Sequence, residues 1–244
     1  MILAAGQGTR LSANNGTRHK VLLRVGGKAI IDYALESFSS VGITDLAIVI
    51  GHQGNAVREW VGDGSKHGLN IRYVFNHEYM WGNALSLYAV RSFTDDDPFI
   101  LSMADHMFSP SLLQRVIDMD SSTSVLAVDS RPDPRHITEG TRVLVNDVGL
   151  ITSIGKDLPS WDGIDAGVFR LVPAIFDSIT DIVSEKSTEY QLSQAITRMI
   201  NQGHPLEACD ITGCFWQDVD TWEDLKLVRQ TFEGAGRWQN SRKA

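Results

Sequence analysis

Apolar residues along this chain alternate between two rhythms. Leu46-Ala-Ile-Val-Ile50 is short and continuous and is closed by Gly51, the pattern of a strand buried on both faces. Upstream of it, residues 29–39 carry apolar side chains at helical spacing. The same spacing recurs over 83–93, where Ala84, Leu87 and Tyr88 fall at i, i+3 and i+4, with Arg91 at i+7. Residues 55–61 predict a shorter helix. Residues 71–75 and 98–103 predict strands, and the few residues before Ala4 a short first strand. This alternation predicts a largely parallel sheet with helices on both faces.

The second half changes rhythm. Strand-like runs occupy 124–129, 141–145, 150–154 and 168–172, and Asn146-Asp147-Val148-Gly149 reads as a hairpin turn. Residues 188–200 predict a helix with Gly203 beyond its end, and 221–233 a last helix, with Thr221 as its cap and Asp224 three positions on. No internal linker or repeat interrupts 1–233. That span is read as one α/β domain with a parallel first half and a mixed second half. Residues 234–244 form a polar, basic tail expected to fray.

Composition narrows the class. The 244 residues are 43% hydrophobic and 21% charged, ordinary for a globular protein. A net charge of −8 argues against nucleic acid as a partner. No apolar run approaches the ~20 residues of a membrane helix, and no signal pattern is visible. Cys209 and Cys214 lack a metal-site pattern and read as reduced thiols. The expected location is cytoplasmic.

Candidate chemistry begins at Leu3-Ala-Ala-Gly-Gln-Gly-Thr-Arg-Leu11. A dinucleotide loop would place a third glycine where Leu11 stands, and a P-loop would end in Gly-Lys-Ser/Thr. Neither fits. Gly6 and Gly8 nevertheless let backbone amides approach an anion, Arg10 can grip a phosphate bidentately, and Lys20 supplies a mobile charge. A glycine turn flanked by surface cations is the plainer reading.

Asp105 follows a predicted buried strand, where ligands of open α/β sheets bind, and a carboxylate there suits Mg²⁺ beside substrate phosphates. Its plainer role is a helix cap. His106 reads as structural. In Trp216-Gln-Asp218-Val-Asp220-Thr221 both carboxylates share a face if extended, and either could cap the last helix. Spacing alone does not choose between them as a metal ligand. Lys156 is a candidate for a second substrate's phosphate. Gly82-Asn83 opens a helix where amides and the Asn side chain could read a base or ribose, with a simple N-cap as the alternative.

Taken together, the loop, Lys20, Gly82-Asn83 with Ser86, Asp105, Lys156 and Asp220-Thr221 resemble, in that order, the nucleotidyltransferases that activate sugar and alcohol phosphates. Met103-Ala-Asp-His-Met-Phe-Ser109, Ile154-Gly-Lys-Asp-Leu158, Gly163-Ile-Asp-Ala-Gly-Val-Phe169 and Trp216-Gln-Asp-Val-Asp-Thr-Trp-Glu-Asp-Leu225 resemble the CTP:inositol-1-phosphate cytidylyltransferases, with Glu139-Gly-Thr-Arg-Val143 a looser match. The resemblance covers nearly the whole chain. It departs at Lys20, which is followed by Val21 where the family commonly has proline.

The resemblance implies a Rossmann-like three-layer fold with a mixed, mainly parallel central sheet. It also implies a Mg²⁺-dependent transfer from CTP to a small alcohol phosphate, giving a CDP-alcohol and pyrophosphate for phospholipid or solute synthesis. Arg10, Lys20 and Lys156 would be catalytic. Leu3, Ala4, Ala5, Gly6, Gln7, Gly8, Thr9, Gly82, Asn83 and Ser86 would bind the nucleotide. Asp105 and Asp220 would hold the metal, and Glu139, Lys156 and Asp165 the acceptor. In some members the domain is fused to a membrane CDP-alcohol phosphotransferase, and Ser241-Arg-Lys-Ala244 resembles the start of that junction.

Two alternatives remain. Asn76-His-Glu-Tyr-Met-Trp-Gly-Asn-Ala-Leu-Ser-Leu-Tyr88 is similar to the choline-phosphate cytidylyltransferase branch, for which Tyr79, Trp81, Trp161 and Trp216 could build an aromatic cage around a quaternary ammonium; aminoethylphosphonate is a related alternative acceptor. A sugar-1-phosphate nucleotidyltransferase would share the loop and both aspartates. A sensor that binds nucleotide without chemistry gives no physical reason for two separated carboxylates aimed at a cation.

Overall fold

The computed structural model describes residues 1–12, 19–120 and 122–234. The tail and junction motif read over 235–244 lie outside the described residues. Among the described residues thirteen strands run in chain order. The first half contributes β1 (Ile2–Ala4), β2 (Arg24–Val25), β3 (Lys28–Ala29), β4 (Asp45–Ile50), β5 (Asn70–Phe75), β6 (Phe99–Met103) and β7 (His106–Phe108). The second contributes β8 (Ser124–Asp129), β9 (Arg142–Val145), β10 (Ile151–Gly155), β11 (Gly163–Leu171), β12 (Leu206–Asp210) and β13 (Trp216–Asp218). The helices are α1 (Thr9–Ser12), α2 (Ile30–Ser40), α3 (Gly54–Val61), α4 (Asn83–Tyr88), α5 (Pro110–Asp118), α6 (Pro134–Glu139), α7 (Ala174–Ser184), α8 (Leu192–Asn201) and α9 (Trp222–Gly234).

Strands β5, β4, β1 and β6 pair side by side, all parallel. Antiparallel β11 follows β6; β8 and then parallel β12 complete that edge. The β9–β10 hairpin branches from the start of β11. Side chains alternate across this sheet and build two cores. Ile2, Ala4, Ile48 and Ile50 face α2, α3 and α5, where Ile31, Leu35, Phe38, Val57 and Leu112 close the layer. Leu3, Ala5, Ala47 and Val49 face α4, α7 and α8, with Leu87, Phe176, Ile179 and Ile196. The result is the three-layer, mixed and mainly parallel sheet that the pattern implies. A third cluster, Leu11, Tyr33, Met107, Val219 and Leu225 among its members, seats α9 against the N-terminal loop region.

Several elements differ from the sequence reading. The helix expected over 83–93 ends at Tyr88, and Arg91–Phe93 winds as a tighter 3₁₀ turn. The helix expected from 188 begins at Leu192, because Tyr190 is drawn into main-chain bonds with Trp81 and Ala84. The strand expected at 168 starts at Gly163, with its register broken between Asp165 and Phe169. Gly167 explains the break: it sits at φ +72°, and a Cβ there would lie 2.4 Å from the His106 ring. Where the sequence reading placed a cap, Thr221 Oγ1 accepts from Asp224 N at 3.2 Å while Asp224 Oδ2 accepts from Thr221 N at 2.8 Å.

Candidate active site

The parallel order puts β4 on one side of β1 and β6 on the other, so the loops after β1 and β6 share a crevice at the switch point. Ala104 N donates to Leu3 O at 3.0 Å and fixes the chain just before Asp105. The short ribbon of β7 and β13 pairs His106 with Asp218. Val219 N donates to Asp105 O at 3.1 Å, which carries Asp220 to the same place from the far end of the chain.

Lys20 lies between the two carboxylates. Its Nζ is 2.5 Å from Asp105 Oδ2 and 2.6 Å from Asp220 Oδ1. The stem of Lys20 runs under Gly8, where φ is +59° and a Cβ would stand 2.8 Å from the lysine Cδ. Gly6, by contrast, has nothing within 4 Å of the position a Cβ would take. Arg10, exposed on α1, spans Asp220 at 2.6 Å and Glu139 at 2.5 Å.

Burial opposes charge on Lys20, yet Asp105 and Asp220 outweigh it and raise its pKa above the ordinary lysine range. Burial also opposes charge on Asp105, but the Lys20 ammonium and His106 hold its carboxyl far below the carboxylate range. His106 Nδ1 is 2.9 Å from Asp105 Oδ1. Burial is again outweighed, by the Asp105 bond and by the charges of Asp105, Asp218 and Asp165, which push His106 up to about 9. Asp165 goes the other way. Burial lifts it to about 6, against the Gly167 amide and His106. Burial likewise raises Asp218.

Two cavities meet at Asp105. A smaller one of about 240 Å³ is lined by Leu3, Ala4, Ala5, Gly6, Gly8, Lys20, Gly82, Asn83, Ser86 and Asp105. A larger one of about 1050 Å³ is lined by Asp105, Asp220, Glu139, Lys156 and Asp165, with Arg135, Thr138, Asp218 and the first turns of α8. Thus most of the residues expected around a nucleotide share one pocket, and those expected around an acceptor share its neighbour. Gln7, Thr9 and Arg10 line neither. Asn83 and Asp105 line both.

Other roles are corrected. Asp105 caps no helix, since β7 follows it. Asp218 lies in β13, and α9 is capped by Thr221 and Asp224. Asn83 does not cap its own helix; its Oδ1 accepts from Leu192 N at 2.7 Å, on α8. The Ser86 hydroxyl accepts from Asn76 Nδ2 at 3.0 Å. The four aromatics form no cage: Tyr79 lines the small cavity, Trp216 the large one, and Trp81 and Trp161 neither. Trp216 is buried against His136 and donates to Asp129 at 2.8 Å. Both cysteines are free thiols, as expected.

Sequence reasoning missed His19, Met80, Glu189 and Gln191 in the small cavity and Arg135 and Thr138 in the large one; Tyr79 and Asp218 were singled out, but for a cage and for a metal or a cap. His19 adjoins Lys20 and is 2% exposed; with burial the main cause, its pKa falls to about 4. Its position beside Lys20 was the available signal. Glu189 and Gln191 had none, because they precede a helix rather than follow a strand.

Among the described residues no helix is long and apolar enough to cross a membrane. The family profile described as Nucleotidyl transferase matches residues 1–233. A "Bifunctional IPC transferase and DIPP synthase" of Rubrobacter xylanophilus is 32% identical over 235 residues, 96% of this chain and 51% of that protein. A "CMP-5'-(3-aminopropyl)phosphonate synthase" of Streptomyces rubellomurinus is 29% identical over 237 residues, 90% of this chain and 36% of that one. The chain spans about half the length of the first curated relatives it matches. The solved inositol-1-phosphate CTP transferase from T. maritima superposes with a TM-score of 0.81 at 23% identity, covering 95% of this chain and 94% of that one.

Proposed function

As the chain belongs to the nucleotidyl transferase family, we propose that it transfers a cytidylyl group from CTP to a small alcohol phosphate, with inositol 1-phosphate the leading acceptor. The observation that carries this reading is the meeting of the two cavities at Asp105, one lined by the glycine loop and Lys20, the other by Lys156 and Asp165. An acceptor phosphate in the large cavity then faces the α-phosphate of a nucleotide in the small one. The relatives named for IPC transferase and DIPP synthase support the choice of acceptor.

In the reaction, an acceptor phosphate oxygen forms a bond to the α-phosphorus, the bond to the β-phosphate oxygen breaks, and pyrophosphate leaves. A phosphate dianion is already a nucleophile, so positioning and charge neutralisation do most of the work. The amides of residues 6–9 would meet the triphosphate, and the Arg10 guanidinium, paired with Asp220 and Glu139 in this structure, would have to re-pair to offset charge on the departing pyrophosphate. Lys156, exposed at the rim of the large cavity, draws in the acceptor phosphate.

The residues also suit Mg²⁺. Oxygens of Asp105 and Asp220 converge on a single ammonium at 2.5 and 2.6 Å, so both are aimed at a point a cation can take. Two carboxylates with substrate phosphates make the hard oxygen set this ion prefers. Asp105 and Asp220 would hold it, and when bound it would neutralise charge on the α-phosphate. Nucleotide phosphates would then offer Lys20 a new partner.

A second reading, an amine-bearing phosphate or phosphonate acceptor, is favoured by Asp165 and Asp218, two carboxylates lining the large cavity. The same reading draws on the aminopropylphosphonate relative. Pyrophosphate release, assayed with Mg²⁺ and CTP, UTP, GTP or dTTP against inositol 1-phosphate, phosphocholine, 2-aminoethylphosphonate and glucose 1-phosphate, tests both. Turnover with CTP and inositol 1-phosphate alone is the expected result. Turnover only with an amine would move the assignment to the second reading, and turnover only with glucose 1-phosphate and another nucleotide would overturn both.

A further inference from the structure

The wall of the large cavity is fastened to the nucleotide pocket at a junction in which two main-chain bonds and one side chain take part. Asn83 opens α4 on the nucleotide side, yet its Oδ1 accepts from Leu192 N, the first residue of α8. That amide is one of the four at a helix start with no partner inside the helix. Two main-chain bonds flank it, Tyr190 N to Trp81 O at 2.7 Å and Ala84 N to Tyr190 O at 3.0 Å. Gly82 permits the approach: at φ +110°, a Cβ there would lie 2.2 Å from Tyr190 O. Beyond the junction Ser193, Gln194, Ile196 and Thr197 line the large cavity, while Gln191 lines both.

We propose that Asn83 is a positioning residue for the acceptor. Its side-chain oxygen sets the first turn of α8, and through α8 the shape of the acceptor wall. This rests on reading the large cavity as the acceptor site. Resemblance assigns Asn83 to the nucleotide, but the one side-chain bond it makes among the described residues reaches across to α8. The coupling is local and mechanical. Loss of the oxygen frees the Leu192 amide and loosens the turn that carries Ser193 and Gln194, while the two main-chain bonds at Tyr190 persist and keep the fold.

The full chain carrying Asn83→Ala or Asn83→Asp separates the possible roles, because aspartate keeps the accepting oxygen and loses the amide donors. Two measurements are needed: amide hydrogen exchange over residues 190–194 without ligand, and pyrophosphate release with CTP and acceptor varied in turn. Asn83→Ala should speed exchange at Leu192 about tenfold and raise the acceptor KM about tenfold, leaving kcat within about threefold. Asn83→Asp, whatever it does to the CTP KM, should return both exchange and acceptor KM to within about threefold of wild type.

The proposal is overturned if Asn83→Asp protects Leu192 yet leaves the acceptor KM as high as in Asn83→Ala. It is overturned equally if Asn83→Ala frees Leu192 without changing the acceptor KM. A wild-type chain that turns over no acceptor would sink the functional reading and the acceptor half of this proposal together. The exchange measurement reports on the fastening of α8 independently.

Discussion

The ammonium of Lys20 and the carboxylate of Asp105 are in contact at 2.5 Å, joining the N-terminal loop to the end of β6. With Asp220 on its other side, the lysine occupies the point toward which both carboxylates are aimed. Its raised pKa means that its contribution to stability is complete through neutral pH and is lost only as pH rises beyond the ordinary lysine range. The depressed Asp105 contributes above the ordinary aspartate range and loses that contribution as pH falls below it. The pair is therefore constant across neutral pH. Lys20→Met should cost about 3 kcal/mol by leaving two carboxylates facing each other. That corresponds to a Tm about 6–12 °C lower in metal-free buffer. Added Mg²⁺ should raise the Tm of the variant more than that of wild type, because the ion then meets no competing ammonium. Calorimetry with and without Mg²⁺ checks both; an equal Mg²⁺ shift in the two proteins would remove the shared cation point.

Asp105→Ala should reduce pyrophosphate release by at least about a hundredfold with the fold retained by circular dichroism. Asp220→Asn should act similarly. Asp218→Asn should cost far less, because Asp218 pairs with His106 in the ribbon, whereas Asp220 is the one that reaches Lys20 and Arg10. A near-normal rate in Asp105→Ala would take it out of the mechanism, and equal losses in the two Asn variants would undo the choice of Asp220.

Asp165 should make the protein less stable as pH rises. Its folded pKa of about 6 lies above the unfolded value, so the folded state binds more protons between about pH 4 and 6 and stability falls across that window. His106 and Asp218 face it, and Gly167 donates to it at 2.7 Å. Asp165→Asn keeps the oxygen for Gly167 and removes the buried charge. The variant should match wild type near pH 4 and exceed it by on the order of 3 kcal/mol at pH 7.5. Denaturant midpoints at the two pH values measure this. The same variant should bind acceptor more weakly.

Gly82→Ala should be among the most damaging single substitutions. It combines a left-handed φ with a Cβ 2.2 Å from a main-chain oxygen that is held in place by Ala84. The expected loss is about 3 kcal/mol, read as a shift in urea midpoint, with both KM values raised.

Much of this arrangement was legible in the sequence, for a physical reason. The parallel strands are buried on both faces, so 46–50 and 98–103 appear as continuous apolar runs, and the loops at their carboxyl ends border the ligand crevice by topology. Asp105 and the loop after β1 could be found that way. The convergence of Asp220 could not. It depends on the pairing of β7 with β13, two three-residue strands that carry no periodic signal of their own. Gly167 misled for the same reason it matters: the glycine that ends a pattern in sequence is the one that admits the His106 ring in space. Asn83 was singled out as a nucleotide reader or a cap of its own helix; its bond to Leu192 was not legible, because that residue is 109 positions away.

The central place of β1 bears on how the chain is made. Ile2 pairs with Ile48 on one edge and with Ser102 on the other. Strand β1 thus keeps one hydrogen-bonding edge open until a segment 100 residues later has emerged, about 5–20 s at ribosomal speeds. Throughout that interval Ile2, Leu3 and Ala4 present an apolar, unpaired edge, so the nascent chain passes through a stage in which the glycine loop borders an open strand edge of the kind that invites aggregation.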